Sequence, residues 1–321
     1  MEQHRQTGVV VGVDGSEAGG AAVRYAALEA QRHGEALTLV HVVPDFVATS
    51  PPAYLVPTDL QQDVEAFGRS LLAAAAAAAS TLAPRLRTTE VLRVGRTVPT
   101  MVREAGQARL VVLGHESVPP LGRLVEGAVT LGVAARAAGP VVSVPGSWSP
   151  DRSTGTVVAG LKLTEHAPEL LTAAFTEAAA RDARLVLFHA WALPSLYDDR
   201  ILARSHREEW SRAANEDIDA LLAGHRASHP GVRVEVKVVN ARAVDALAEA
   251  AADADLLVLV RRARGFPAAT HLGSTARALL GHASCPVLVV PPQHAEEGGE
   301  PEGAVQRGVV PAHAPSSVGG R

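Results

Sequence analysis

One cysteine, Cys285, stands in a chain of 321 residues. It cannot build a disulfide framework, and such sparse cysteine suits a reducing compartment. Aromatic residues make up 3% of the chain, so any core has to be packed from Val, Leu and Ala. The formal charge is only −4 and no long basic stretch occurs, which argues against nucleic acid or a membrane surface as the main partner. No apolar run reaches the ~18 residues of a membrane span. The nearest, Leu71-Leu72 followed by Ala73 to Ala79, is too short and is bracketed by Arg69 and Ser80. Met1 to Thr7 is polar and lacks the apolar core of a secretion signal. The expected location is the cytoplasm. Also missing are a G-x-S-x-G elbow, a C-x-x-C pair and a Walker A sequence.

What is present begins with Val9-Val10-Val11-Gly12-Val13-Asp14-Gly15-Ser16. A short continuous apolar run reads as a buried parallel strand. Asp14 and Gly15 make a turn, and Ser16 is placed to cap a helix. The Ala-rich stretch from Glu17 to Arg32 favours that helix, and Gly34 ends it. At the carboxyl end of a strand in an open parallel sheet, Asp14 is offered to a ligand.

The unit recurs from Thr156 to Glu165. Gly12 and Gly160 are 148 apart (160 − 12), as are His41 and His189 (189 − 41). Gly127 and Gly273 are 146 apart (273 − 127), as are Val141 and Val287 (287 − 141). Offsets that drift so little mean one domain duplicated, and the period is too long for a solenoid. The expected organisation is domain 1 over 1–146, a linker over 147–155, domain 2 over 156–293 and a disordered tail over 294–321. Within each domain, apolar strands alternate with helices, which predicts an α/β fold: a doubly wound parallel sheet with helices on both faces. In domain 1 the strands fall at Val9–Val13, Leu37–Val43, Glu90–Val94, Leu110–Leu113 and Val141–Val144. A four-proline loop over Pro44–Pro57 precedes a long helix from about Asp59 to Leu82.

These residues resemble the universal stress protein family, over nearly the whole chain to about Pro292. Val10 to Ser16 looks like the family's opening strand and turn. Its glycine loop, G-x2-G-x9-G-S/T after strand four, falls at Gly114, Ser117, Gly127 and Ala128, and again at Val260, Ala263, Gly273 and Ser274. His282 to Val290 resembles the family's ending. The resemblance implies two tandem five-stranded sheets of the adenine nucleotide alpha hydrolase-like kind, each in the order 3-2-1-4-5. Such domains pair through their last strands, so the two would form a pseudo-dimer within one chain; a homodimer of chains stays open.

The resemblance also implies ATP as the ligand, with Mg as its companion ion, and a regulator of the stress response rather than an enzyme. Asp14 would meet the adenine end and the backbone at Val42 the base. Gly114, Ser117, Gly127, Ala128 and Val129 would wrap ribose and phosphates, where a Cβ would obstruct the approach of backbone N–H groups. Domain 1 departs from the pattern at Ser117 and Ala128, although Thr130 offers a hydroxyl two residues on. Domain 2 keeps Gly273, Ser274 and Thr275 at a helix start, but has Lys162 for the aspartate and Val260 and Ala263 for two glycines. Arg261, Arg262 and Arg264 either supply cations to an anion or form a solvated basic loop. The lost glycines leave a second reading, a protein-interaction module without nucleotide. A weak ATPase is the third, with no general base or metal set in view. His41 and His189 are expected to be structural. His225 and His229 are not expected to bind metal, Cys285 is read as a buried small hydrophobe, and Glu126, Asp253 and Asp255 show no evident pairing.

Overall fold

The computed structural model describes residues 8–45, 58–106, 108–116, 126–163, 166–191, 196–261 and 272–292. Most of the Pro44–Pro57 loop, Ser117, Arg262, Ala263, Arg264 and the 294–321 tail lie outside them. The first half runs β1 (Gly8–Gly12), α1 (Glu17–His33), β2 (Ala36–Val43), α2 (Thr58–Leu82), β3 (Thr88–Val94), α3 (Thr97–Ala105), β4 (Leu110–His115), α4 (Glu126–Arg136) and β5 (Val141–Pro145). The second repeats it as β6 (Thr156–Gly160), α5 (Ala167–Ala180), β7 (Arg184–Trp191), α6 (Leu196–Ser228), β8 (Val234–Asn240), α7 (Ala243–Ala252), β9 (Leu256–Val260), α8 (Ser274–His282) and β10 (Val287–Val290).

Local chemistry explains where α1 begins and ends. Ser16 Oγ accepts from the Gly19 N–H at 2.9 Å, satisfying one of the helix's free donors. Gly34 takes φ +66°, which lets its N–H turn back onto the last carbonyls. The apolar strands bury both faces, so they stack in parallel under helices on each side.

The strands form one ten-stranded sheet in the order β3-β2-β1-β4-β5-β10-β9-β6-β7-β8. Every pairing is parallel except β5 with β10. There Val141 faces Val289, Val142 faces Leu288 and Ser143 faces Val287. With the repeat offset of 146 (287 − 141), this register is symmetric about Val142 and Leu288, so a pseudo-dyad passes between them. An apolar edge strand left open invites pairing with another chain; here each half covers the other's edge. The consequence is that the cores are shared. On one face Leu37, Leu39 and Leu72 of the first half are continuous with Phe175, Leu187 and Ile218 of the second. On the other, Met101, Val111 and Val133 are continuous with Leu257, Leu279 and Val287.

The linker is held rather than loose. Asp255, read from sequence as unpaired, accepts from the backbone N–H groups of Thr154 (2.6 Å), Gly155 (2.8 Å) and Thr156 (3.2 Å). It also accepts from the hydroxyls of Ser153 and Thr154. Cys285 is buried, and burial pushes its thiol up to about 12. His225 and His229 lie against the Phe175 ring, with centroids 5.3 and 5.5 Å away. Among the described residues no group of three or more His, Cys, Asp or Glu is placed to hold a metal, and no helix is long and apolar enough to cross a membrane.

Candidate functional site

The carboxyl ends of β1, β2 and β4 converge on a cavity of about 210 Å³ in the first half. Asp14, Val42, Gly114, Val129 and Thr130 all line it, so the structure brings together most of the first-half residues singled out by sequence. Gly127 and Ala128 belong to the first turn of α4, whose N–H groups have no partner within the helix. Ser117 lies outside the described residues.

Asp14 is exposed at the tip of the turn. Its Oδ1 accepts from Ser16 N–H at 3.0 Å and from Ser16 Oγ at 2.7 Å. The carboxylate is thereby held over the first turn of α1, one oxygen engaged. This stance needs a glycine that the sequence reading missed: a Cβ at Gly19 would lie 2.2 Å from Asp14 Oδ1.

Gly114 has a reason other than phosphate approach. A Cβ there would lie 2.4 Å from the backbone C and O of Ala18 and 2.8 Å from Gly19 N. The glycine lets α1 lie directly on the end of β4. The Gly114 carbonyl in turn accepts from Thr130 Oγ1 at 3.0 Å. The hydroxyl noted two residues after Ala128 thus ties α4 to β4.

His41 donates Nδ1–H to the Val13 carbonyl at 2.6 Å, and His189 does the same to Leu161 at 3.2 Å. Both fix the turn after the first strand of their half, as expected for structural histidines. The histidine that sequence reasoning missed is His115, which lines the cavity and is 3% exposed. Ser143 Oγ donates to the Leu280 carbonyl at 2.8 Å, so at 2.7 Å it accepts from His115 Nδ1–H. Nε2 is buried without a hydrogen-bond partner. Burial pushes this imidazole down to about 4, against about 6.5 in an unfolded chain. Between those values the unfolded state binds more protons, so stability falls as pH drops through the window. The fold is expected to be about 2 kcal/mol less stable at pH 5 than at pH 8 on this account. Thermal unfolding at both pH values should show a smaller loss in His115→Gln; equal losses would mean that His115 titrates freely in the fold.

The second half departs where its sequence does. Val260 stands in Gly114's place, and α5 begins at Ala167, two residues later than the offset of 148 from Glu17 (165 − 17) puts it. Its N-cap, His166, makes no side-chain capping bond. Lys162 is exposed in Asp14's place. Gly273 caps α8, and Ser274 and Thr275 open it. Arg261 is not the free loop cation it was read as: its Nη1 donates to the carbonyls of Ala134 and Ala137. A larger cavity of about 480 Å³ does exist in this half, lined by Arg184, Phe188, Lys237, Asp245 and Glu249. It lies along β6–β8 and α7, and neither Lys162 nor Ser274 lines it.

Comparison with known proteins gives the same architecture. The model of the universal stress protein family matches residues 7–145 and 154–291. A universal stress protein of Mycobacterium tuberculosis is 34% identical over 298 residues, covering 89% of this chain and 97% of its own. A second from that organism is 32% identical over 307 residues, covering 89% and 96%. The crystal structure of a universal stress protein from Archaeoglobus fulgidus aligns with a TM-score of 0.63 at 15% identity, over 90% of this chain and 99% of that one. At that identity the likeness speaks for the fold alone.

Proposed function

The chain belongs to the universal stress protein family, and from that premise we propose that its first half binds an adenine nucleotide, ATP, as a regulator of the stress response in the cytoplasm. The observation that carries this reading is the cavity at the ends of β1, β2 and β4, with the Asp14 carboxylate at one side and the start of α4 at the other. Asp14 has an oxygen free to accept from the base or ribose. The backbone at Val42 borders the base. The N–H groups of Gly127, Ala128 and Val129 meet phosphate oxygens at the positive end of the helix. Among the described residues Asp14 and Glu116 are the carboxylates lining the cavity, so Mg would be held largely by the phosphates themselves.

A regulator is favoured over a hydrolase by the state of two hydroxyls in the cavity, those of Ser16 and Thr130. Ser16 Oγ is engaged with Asp14 and Gly19, and Thr130 Oγ1 with Gly114. The Ser16 hydroxyl meets the exposed Asp14 carboxylate, a weak base, and the Thr130 hydroxyl meets a carbonyl, so neither is activated as a nucleophile. For the second half, Val260, Lys162 and the engaged Arg261 favour the other reading, a surface for a protein partner.

Native mass spectrometry with and without ATP tests the proposal. One nucleotide per chain is expected, and Asp14→Ala should raise the Kd roughly tenfold, the weight of one hydrogen bond to a charged group. Two nucleotides per chain would mean that the second half binds as well. No mass increment at millimolar ATP would sink the nucleotide reading and turn the first half, too, into a partner-binding module.

A further inference from the structure

Each half's fourth strand leads to a residue that reaches into the other half. Arg261, directly after β9, sends its guanidinium across the pseudo-dyad. Nη1 donates to the carbonyls of Ala134 at 3.1 Å and Ala137 at 2.9 Å. Those groups close the C-terminal end of α4, where a cation also meets the negative end of the helix dipole. By the offset of 146 (261 − 115), the first half's counterpart of Arg261 is His115. Its hydrogen-bonded neighbour Ser143 donates to the carbonyl of Leu280 in α8. The Ala283 carbonyl also lies beside His115, where it favours the protonated ring. Leu280 and Ala283 are the counterparts of Ala134 and Ala137 (280 − 134 and 283 − 137, both 146). The two clasps are therefore the same device, built once with arginine and once with a histidine–serine pair.

Each clasped helix has its other end at the carboxyl edge of the sheet, where the resemblance placed a ligand. α4 opens at the first half's cavity and α8 opens with Ser274 and Thr275. With 11 residues, α4 spans roughly 16 Å at 1.5 Å per residue. It is tied at two points: Thr130, its fifth residue, holds it to Gly114, and Arg261 holds its last carbonyls to the second half. α4 also packs directly on α8. A short helix tied this way is an element whose stance both halves can bias.

Resting on the nucleotide reading of the first half, we propose that Arg261 is a positioning residue for the first half's ligand. The second half sets the stance of α4 and so the phosphate-binding end of the cavity. Occupancy of one half is felt by the other through the reciprocal pair, Arg261 on α4 and His115 with Ser143 on α8. Coupling of this kind is mutual: a partner that moves the end of β9 alters nucleotide affinity, and nucleotide alters affinity for that partner.

The test uses the full chain with Arg261→Met and Arg261→Lys. Calorimetry with ATP should show a Kd raised about threefold to tenfold by methionine, the fold-change expected on removing a cation from a helix C-terminus. Lysine should restore most of the affinity. Amide hydrogen exchange without ligand should quicken in 126–131, at the far end of α4, as well as in 132–137, while β5 and β10 keep their protection. Ser143→Ala should give the mirror result, faster exchange in 274–277. Exchange confined to 132–137, with ATP affinity unchanged, would overturn the proposal. If the wild-type chain binds no ATP, the nucleotide reading fails, and exchange in 126–131 still decides whether Arg261 sets the first turn of α4.

Discussion

Arg181→Met is expected to destabilise the fold by about 3–5 kcal/mol, the range for a buried charge cluster that loses its one central partner. Arg181, at the end of α5, sits between two carboxylates from different halves. Nη1 pairs with Glu177 on its own helix and Nη2 with Glu29 on α1. The same Nη2 donates to Tyr25 Oη at 2.9 Å. The side chains of Arg181, Glu29 and Glu177 are 8%, 2% and 10% exposed, so water cannot take the arginine's place. Glu29 and Glu177 are counterparts at the offset of 148 (177 − 29), and Arg181 is the counterpart of His33 (181 − 33). Two arginines there would bring two guanidinium groups together near the pseudo-dyad; the second copy carries arginine and the first histidine. In the variant only Arg32 and His33 remain against Glu29. Urea unfolding should show a lower midpoint with an unchanged slope. Replacing Glu29, Glu177 and Arg181 together by apolar residues should recover most of the loss, since a buried ion cluster exchanged whole is often neutral. A single variant within 1 kcal/mol of wild type would show that the two carboxylates are solvated after all.

The contrast between this cluster and the strands shows what sequence could and could not disclose. Val9–Val11, Leu110–Leu113 and Val287–Val290 announce themselves because a strand buried on both faces must be apolar throughout. The duplication follows from offsets alone, and the family resemblance supplied the pairing of last strands that β5 and β10 display. The residues that line the cavity were also legible in part, because Asp14, Val42 and Gly114 stand at strand ends, where the topology gathers ligands. What escaped were the side-chain contacts across the pseudo-dyad. Arg181 with Glu29, Arg261 with Ala134, and Ser143 with Leu280 join residues more than a hundred positions apart, and neither helical nor strand periodicity speaks to such pairs. Asp255 escaped for the same reason, since its donors lie in a linker whose path no pattern encodes. Gly114 was legible as a requirement but not for its cause: the sequence suggested a phosphate, and the structure shows a helix backbone.

That second cause leads to the other large effect. Gly114→Val should lower stability by about 3 kcal/mol, at the upper end of overpacking penalties, and should abolish the nucleotide binding proposed for the first half. A Cβ at this position would lie 2.4 Å from Ala18 C and O. Both are main-chain atoms inside α1, so no rotamer change relieves the overlap. The first turn of α1 has to lift from β4. The Ser16 cap on Gly19 and the Asp14 bonds to Ser16 depend on that turn, and an N-cap by itself is worth about 1 kcal/mol. The second half already carries the valine, at Val260, and there the helix starts later and lacks a side-chain cap. The substitution would thus give the first half the geometry of the second. Differential scanning calorimetry and ATP titration read the two consequences separately. Lost binding with unchanged stability would mean that α1 yields cheaply and that its stance matters only for the ligand. Wild-type values in both would mean that the backbone contact constrains nothing. The reverse change, Val260→Gly, should not create a second site, because Lys162 still occupies the position from which a carboxylate would have to accept.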